Sequence, residues 1–247
     1  MVVHFDSARA LLLDIEGTTT PISFVYRTLF PFAAVHVEEF LNQHSKDNEV
    51  LEFVEQLRVH RQAQLGESSD VPEWSDAFPL QRLHSAAAYV RYLIGRDSKI
   101  TPLKSLQGRI WEAGYREGKL RGEVYDDVPV AFRRWRAQQR RIAIFSSGSV
   151  LAQRLLFAHS TSGDLTQFVD AFFDTTTGPK EEAQSYHRIA LSLRLAPADI
   201  LFLSDSTAEL DAARVAGMAT AFSLRPEVKK PALSIHRGFI SFDEVLP

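Results

Sequence analysis

Short apolar runs that end in polar residues recur along the chain, which is the pattern expected of buried strands. Four runs are followed by polar residues: residues 10–13 by Asp14, 142–145 by Ser146, 171–173 by Asp174, and 200–203 by Ser204 and Asp205. Amphipathic segments lie between or after them, at residues 150–158, 182–195 and 209–216. This alternation predicts an α/β fold with a doubly wound parallel sheet. A fifth run, residues 219–224, is expected to extend that sheet.

The interval between Gly17 and Ile142 is longer than a crossover in such a sheet requires, since one helix normally suffices. Its apolar residues recur at spacings of three and four, which indicates amphipathic helices. The two clearest faces comprise Leu80, Leu83, Ala87, Val90 and Ile94, and Leu103, Leu106, Ile110 and Trp111. We therefore predict an inserted all-helical cap at residues 24–125, set on the active edge of the sheet, and a catalytic core formed by residues 1–23 and 126–247.

A helix at residues 128–139 is expected to return the chain to the core. This helix and the residues after it carry a group of arginines: Arg133, Arg134, Arg136, Arg140 and Arg141. Their helical placement favours a solvated face over a basic patch that binds an anionic partner.

The composition indicates a globular protein with a small-molecule partner. Of its 247 residues, 45% are apolar, and the formal net charge of -3 provides no broad attraction to nucleic acid or anionic lipid. The absence of cysteine excludes disulfides, thiolate catalysis and Cys-ligated zinc. We identify neither a signal sequence nor the ~20 apolar residues that a membrane span requires. The expectation is a cytoplasmic monomer that binds neither nucleic acid nor membrane.

Two carboxylates follow the first predicted strand. Side chains alternate along an extended strand, so Asp14 and Glu16 project to the same side while Ile15 packs into the core. Taken alone, this pair could equally be a turn cap and a surface acid. Polar residues at the ends of the other strands favour a site, because ligands of open α/β sheets bind beyond the carboxyl ends of the strands.

The polar residues after the later strands are those that a phosphate and a metal require. Ser146 to Ser149 open a helix, where backbone N–H groups, hydroxyls and the helix dipole can hold a phosphate, although serine there is also an ordinary N-cap. Lys180 precedes a predicted helix and, taken alone, is more typical of a surface lysine. Asp205 and Glu209 add carboxylates, which suit Mg²⁺. Together these groups predict a magnesium-dependent phosphatase.

The predicted chemistry is phosphoryl transfer through an aspartyl-phosphate. A carboxylate approaching one unit of phosphate charge is opposed by ~4 kcal/mol at ~4 Å and an effective dielectric constant of ~20, so a metal and a lysine must offset the repulsion. In-line attack by Asp14 would split the hydrolysis into two steps. Glu16 could protonate the leaving oxygen and then activate water, if the site raises its pKa above the usual ~4.3.

The order Asp-x-(Asp/Glu)-x-Thr, a serine after a strand, a lysine and an acidic pair resembles the haloacid-dehalogenase superfamily of phosphatases. Within it, the chain is most similar to the enolase-phosphatase family, also called acireductone synthase, over nearly its whole length. The resemblance is carried by residues 14–25 (Asp-Ile-Glu-Gly-Thr-Thr-Thr-Pro-Ile-Ser-Phe-Val), 29–31 (Leu-Phe-Pro), 102–108 (Pro-Leu-Lys-Ser-Leu-Gln-Gly), 146–150 (Ser-Ser-Gly-Ser-Val), 155–157 (Leu-Leu-Phe) and 201–205 (Leu-Phe-Leu-Ser-Asp).

This resemblance implies a Rossmann-like core with a helical cap and a bifunctional enzyme of methionine salvage. The enzyme would enolise 2,3-diketo-5-methylthiopentyl-1-phosphate and dephosphorylate the enol to the acireductone 1,2-dihydroxy-3-keto-5-methylthiopentene, with Mg²⁺ as cofactor. By resemblance, the metal ligands are Asp14, Glu16 (through its side chain or its backbone carbonyl) and Asp205, the phosphate-binding residues are Ser146, Ser147 and Lys180, and the catalytic residues are Asp14, Glu16 and Lys180.

Three other functions remain open: a related phosphatase acting on another small phosphomonoester, an inactive binding module of the same fold, and, least favoured, a dehalogenase. Most of the superfamily has Asp where this chain has Glu16, so the part that Glu16 plays in dephosphorylation, enolisation or metal placement stays open. The sequence does not determine whether Glu209 contributes to the metal site. After Arg225 the resemblance is loose, and we assign no function there.

Overall fold

The computed structural model describes residues 7–64, 70–229 and 235–247. The strands are β1 (Ala10–Leu13), β2 (Arg141–Phe145), β3 (Ala171–Phe173), β4 (Ile200–Ser204), β5 (Ala219–Ser223) and β6 (Arg237–Phe239). The α-helices are α1 (Ile22–Phe24), α2 (Phe30–Gln43), α3 (Asn48–Ala63), α4 (Pro79–Gly95), α5 (Thr101–Arg116), α6 (Asp127–Ala137), α7 (Val150–Ala158), α8 (Ala183–Leu193) and α9 (Thr207–Val215). A π-helical segment, Val25–Leu29, connects α1 to α2.

Within the described residues, six strands form one parallel sheet in the order β3-β2-β1-β4-β5-β6. β1 lies between β2 and β4, and Leu13 pairs with Ile144 on one side and with Leu203 on the other. The residues that follow β1, β2 and β4 therefore meet at one edge of the sheet. The predicted α/β fold class is confirmed.

The core lies on both faces of the sheet. On one face, alternate strand residues such as Leu12, Phe145 and Phe202 pack with the buried residues of α8 and α9. The intervening strand residues point to the opposite face, because side chains alternate along a strand. There α6 lies beside β2, and its Phe132 ring stacks on Phe157 of α7 at a centroid distance of 6.1 Å. Both faces of β1 are consequently buried, as all four of its residues are.

Most predicted elements agree with the structure within one or two residues at each end. β1, β3 and α7 have the predicted bounds, and β2 and β4 are each one residue longer than predicted. β6 was not predicted, because three residues that include a glycine give no apolar run.

The chain divides into two compact units, one that holds the sheet and one that comprises Tyr26–Leu120. The second unit is an inserted helical unit that contains α2 to α5, as the fold class predicts. In α5 all four predicted face residues are buried. In α4 the prediction is wrong for Leu80, which is 72% exposed because it lies in the first helical turn, before the packed part of the helix. The assignment of residues 24–125 as a cap over the site stays a prediction.

The predicted solvated arginine face is wrong for Arg134. Its guanidinium donates to the backbone carbonyls of Phe242 (2.5 Å) and Leu246 (3.1 Å), which satisfies acceptors at the C-terminus of the chain. The indole of Trp135 donates to the carbonyl of Val245 at 3.1 Å. Arg133 and Arg136 are exposed, as predicted.

None of the helices in the described part of the chain combines the length and the apolar character needed to span a lipid bilayer.

Candidate active site

Asp14 lies at the carboxyl end of the central strand and is only 4% exposed. Its backbone N–H donates to the carbonyl of Leu203 at 3.0 Å, which continues the pairing of β1 with β4 by one residue. Its carboxylate Oδ1 accepts a hydrogen bond from Lys180 Nζ at 2.6 Å. A buried carboxylate is therefore fixed at the sheet edge and neutralised by a cation.

The turn after Asp14 is held by backbone hydrogen bonds between residues that are close in sequence. The N–H groups of residues 18–20 all donate to the carbonyl of Ile15, and Gly17 N–H donates to the carbonyl of Thr20. Gly17 has a φ of 67°, in the left-handed region that favours glycine. A Cβ at this position would lie 2.4 Å from Asp205 Oδ2, so the turn packs directly against that carboxylate.

Lys180 connects two carboxylates through its ammonium group. Nζ lies 2.6 Å from Asp14 Oδ1 and 2.7 Å from Glu209 Oε2, and the side chain is only 10% exposed. Burial alone would lower the pKa of Lys180, but the charges of Asp14 and Glu209 outweigh it and raise that pKa. Lys180 therefore carries a positive charge in the folded protein. Its backbone is held as well, because the carbonyl of Lys180 accepts a hydrogen bond from Tyr186 Oη at 2.7 Å.

Asp205 and Glu209 are carboxyl groups whose pKa the site raises. Burial, followed by the negative charge of Asp14, raises the pKa of each of them to about 7. The charge of Glu16 also raises the pKa of Asp205. Glu209 Oε2 accepts from the hydroxyl of Ser204 at 2.9 Å, which directs its carboxylate back toward the end of β4. The crowding of these negative charges is the electrostatic setting in which a cation binds well.

The loop after β2 exposes the start of a helix at the same sheet edge. Ser146 N–H donates to the carbonyl of Phe173 at 3.2 Å, and Ser146 Oγ accepts from Gly148 N–H at 3.2 Å. Ser149 is the N-cap of α7 and accepts from Ala152 N–H. The hydroxyls of Ser146 and Ser147 thus follow β2 at the sheet edge, and a hydroxyl can donate to an anion.

The donors present fit a magnesium ion. The missing Cβ of Gly17 lets the Asp205 carboxylate pack directly against the turn, and Asp14 and Glu16 are close enough to raise the pKa of Asp205. Within residues 7–64, 70–229 and 235–247, no three acidic or histidine side chains converge in a cluster that would hold a metal by themselves. Asp14 and Asp205 are carboxylates of the kind that Mg²⁺ binds, since this ion takes one or two carboxylates and completes its shell with water and phosphate oxygens.

Comparisons with known proteins agree with this geometry. The family model described as haloacid dehalogenase-like hydrolase matches residues 8–217. The chain is 46% identical over 239 residues to "Enolase-phosphatase E1" of Synechococcus elongatus, with 97% of this chain and 98% of the relative covered. It is 48% identical over 240 residues to the protein of the same name from Sorangium cellulosum, with the same coverage. The chain belongs to the enolase-phosphatase E1 family.

A solved structure shares the fold of this enolase-phosphatase family member over almost its full length. The UTR4 protein of Saccharomyces cerevisiae is 33% identical, with a TM-score of 0.76 and coverage of 96% of this chain and 99% of that chain. The haloacid-dehalogenase fold, with its parallel sheet and inserted helical unit, is thereby confirmed.

The structure brings the predicted site residues of this enolase-phosphatase family member to one sheet edge, but their roles stay predictions. Asp14 and Lys180 are in direct contact, Asp205 lies against the turn that follows Glu16, and Ser146 and Ser147 follow the neighbouring strand. Glu209, whose part the sequence left open, contacts Lys180.

Sequence reasoning missed Asp174, which links two loops of the site. One carboxylate oxygen accepts from Val150 N–H, the first residue of α7, at 3.2 Å. The other accepts from the N–H and the hydroxyl of Thr176, in the loop that leads to Lys180. Its position after β3 was the available signal, since Asp is common where it can accept from free N–H groups of a turn or helix start.

Proposed function

We propose that this protein is a bifunctional enolase-phosphatase that enolises 2,3-diketo-5-methylthiopentyl-1-phosphate and then dephosphorylates the enol to the acireductone 1,2-dihydroxy-3-keto-5-methylthiopentene. Membership of the enolase-phosphatase E1 family supports the pair of reactions. The single observation that carries the phosphatase step is the buried Asp14 carboxylate, which is held by Lys180 at 2.6 Å at the carboxyl end of the central strand.

Asp14 is the proposed nucleophile. Its carboxylate attacks the phosphorus in line, the bond from phosphorus to the substrate oxygen breaks, and an aspartyl-phosphate forms. Two negative groups about 4 Å apart repel by ~4 kcal/mol at an effective dielectric constant of ~20. Lys180, which the site keeps charged, lies where it offsets part of that repulsion.

Mg²⁺ is the proposed cofactor, held by Asp14, Asp205 and either the side chain or the backbone carbonyl of Glu16. When bound, it supplies positive charge that stabilises the phosphoryl group in the transition state. The contact of Gly17 with Asp205 supports this assignment, because it places the Asp205 carboxylate beside the turn that carries Glu16.

The remaining residues have roles in binding and proton transfer. Ser146, Ser147 and Lys180 are proposed to bind the phosphate oxygens. Glu16 is proposed to protonate the departing enol oxygen and then to remove a proton from the water that hydrolyses the aspartyl-phosphate. The substrate is a small phosphorylated molecule, and its diketone part distinguishes this function from that of a phosphatase without enolase activity.

The test is incubation of the protein with the diketone phosphate and Mg²⁺ while phosphate release and acireductone absorbance are followed together. The wild type is expected to produce both signals. Asp14→Asn is expected to lose phosphate release because the amide cannot form the aspartyl-phosphate, and to retain enol formation if Asp14 acts only in the second step.

A matched control is Asp199→Asn, which removes a surface carboxylate next to β4. That carboxylate pairs with Arg9 at 3.8 Å. This variant should retain both signals. Phosphate release by Asp14→Asn would overturn the nucleophile assignment. Release from other phosphomonoesters but not from the diketone would instead identify a related phosphatase with a different substrate.

A further inference from the structure

The end of β5 holds two consecutive carbonyls of the turn that follows Asp14. Ser223 Oγ donates to the carbonyl of Gly17 at 2.8 Å, and Arg225 Nε donates to the carbonyl of Thr18 at 3.2 Å. Both donor side chains are buried, with Ser223 fully enclosed and Arg225 only 5% exposed. These hydrogen bonds span more than 200 residues of sequence and tie the turn to a strand that is two places away from β1 in the sheet.

Arg225 is itself rigidly fixed. Its guanidinium pairs with both carboxylate oxygens of Asp127, at 2.8 and 3.0 Å, and also donates to the carbonyl of Ile240 at 3.0 Å. Its Cζ lies 4.2 Å from the ring centre of Tyr125 and 4.8 Å from that of Phe242. A bidentate, stacked arginine has little freedom to follow a displaced partner. The turn is therefore hydrogen-bonded to a side chain that is itself held in place.

The position of this turn sets the position of a proposed metal ligand. Gly17 follows Glu16 directly and lies so close to Asp205 that a Cβ would be 2.4 Å from its Oδ2. A shift of the turn by a few tenths of an ångström thus changes the separation between the Glu16 and Asp205 donors. Mg²⁺ demands near-ideal octahedral geometry at about 2.1 Å, so its affinity is sensitive to such a shift.

We propose that Ser223 and Arg225 are positioning residues that hold the Gly17–Thr18 carbonyls and thereby set the spacing of the Mg²⁺ ligands. This inference rests on the metal site of the proposed function. It assigns a role to two residues for which the sequence analysis proposed none. Neither residue is proposed to touch the substrate.

The test compares Ser223→Ala with the wild type by calorimetric titration with Mg²⁺ and by hydrogen exchange of the amides of residues 17–20. Loss of one buried hydroxyl donor should weaken Mg²⁺ binding roughly threefold to tenfold. Exchange at residues 17–20 should become faster even without metal. Phosphate release should recover at saturating Mg²⁺, because the chemical groups are intact.

The matched control is Thr220→Val, which removes a hydroxyl from the same strand. That hydroxyl is hydrogen-bonded to His236 Nδ1 at 2.8 Å and not to the turn after Asp14. This variant should leave Mg²⁺ affinity and exchange at residues 17–20 unchanged, while Arg225→Lys should weaken Mg²⁺ binding as Ser223→Ala does. If Ser223→Ala binds Mg²⁺ as tightly as the wild type, or if Thr220→Val weakens Mg²⁺ binding equally, the positioning role is overturned. The proposed metal site would still stand in either case. Failure of the wild type to bind Mg²⁺ would overturn the proposed metal site as well.

Discussion

Replacing Lys180 by methionine should expose how strongly the site depends on one buried cation. Methionine has a similar length but no charge, so Asp14 and Glu209 would each lose a partner at 2.6 or 2.7 Å. Removing one member of a buried ion pair typically costs ~3–5 kcal/mol, because the remaining charge stays desolvated. We therefore expect the free energy of unfolding to fall by roughly that amount at about pH 8 without divalent cations, a large part of a typical ~5–15 kcal/mol.

The deficit should shrink at lower pH. Burial first and Asp14 second raise the pKa of Glu209 from its ordinary 4.5 to about 7, and the charge of Lys180 opposes that rise. Without Lys180 this pKa rises further. An acid with a raised pKa in the folded state contributes stability that is full below its unfolded pKa and is lost as the pH rises through its folded pKa. The variant therefore loses more stability above about pH 7 than the wild type does.

The assay is urea denaturation followed by circular dichroism, with a chelator present, at about pH 5 and about pH 8. Lys119→Met is the matched control, because Lys119 pairs with Glu117 at a similar 2.7 Å but is half exposed, and exposed pairs contribute little. Equal stability of Lys180→Met and the wild type at the higher pH would refute the reasoning, as would a deficit that does not depend on pH.

Two further substitutions test separate parts of the site. Asp174→Asn should weaken inhibition by inorganic phosphate about tenfold, because the amide accepts less strongly than the carboxylate from Val150 and Thr176. The Mg²⁺ affinity should stay unchanged. A variant in which only the Mg²⁺ affinity changes would contradict this role. Gly17→Ala should lower the rate of phosphate release at least about a hundredfold with the fold retained. The new Cβ would collide with Asp205, and the backbone at this position is left-handed, which favours glycine. A rate of phosphate release near that of the wild type would show that the turn can adapt.

The sheet and the positions of the main candidate site residues could be predicted because they depend on local patterns. β1, β3 and α7 are continuous apolar or amphipathic segments, and Asp14 follows its strand directly. The carboxyl ends of parallel strands share one edge by topology, so Asp14 and Asp205 could be assigned to one site without knowledge of any distance. Lys180 does not follow a strand directly, and its assignment depended on the order of the motifs and on the family resemblance.

The remaining contacts could not be predicted because they join side chains to distant backbone groups. Ser223 and Arg225 bind carbonyls of the turn after Asp14, and every residue has a carbonyl, so no pattern marks which one is used. Arg134 was misjudged for the same reason, since helical position predicts the exposed side of α6 but not an acceptor from the C-terminus. Leu80 was misjudged because periodicity does not show where packing along a helix begins.

Because β1 lies at the centre of the sheet, it pairs on both sides with strands that are synthesised after it. β2 begins at Arg141 and β4 at Ile200, and Lys180 follows Asp14 by 166 residues. At ~5–20 residues per second, translation from β1 to β4 takes roughly 10 to 40 s, during which β1 lacks at least one of its two neighbouring strands. Until β4 has been made, the nascent chain therefore carries an apolar strand with an unpaired edge, which is a template for aggregation.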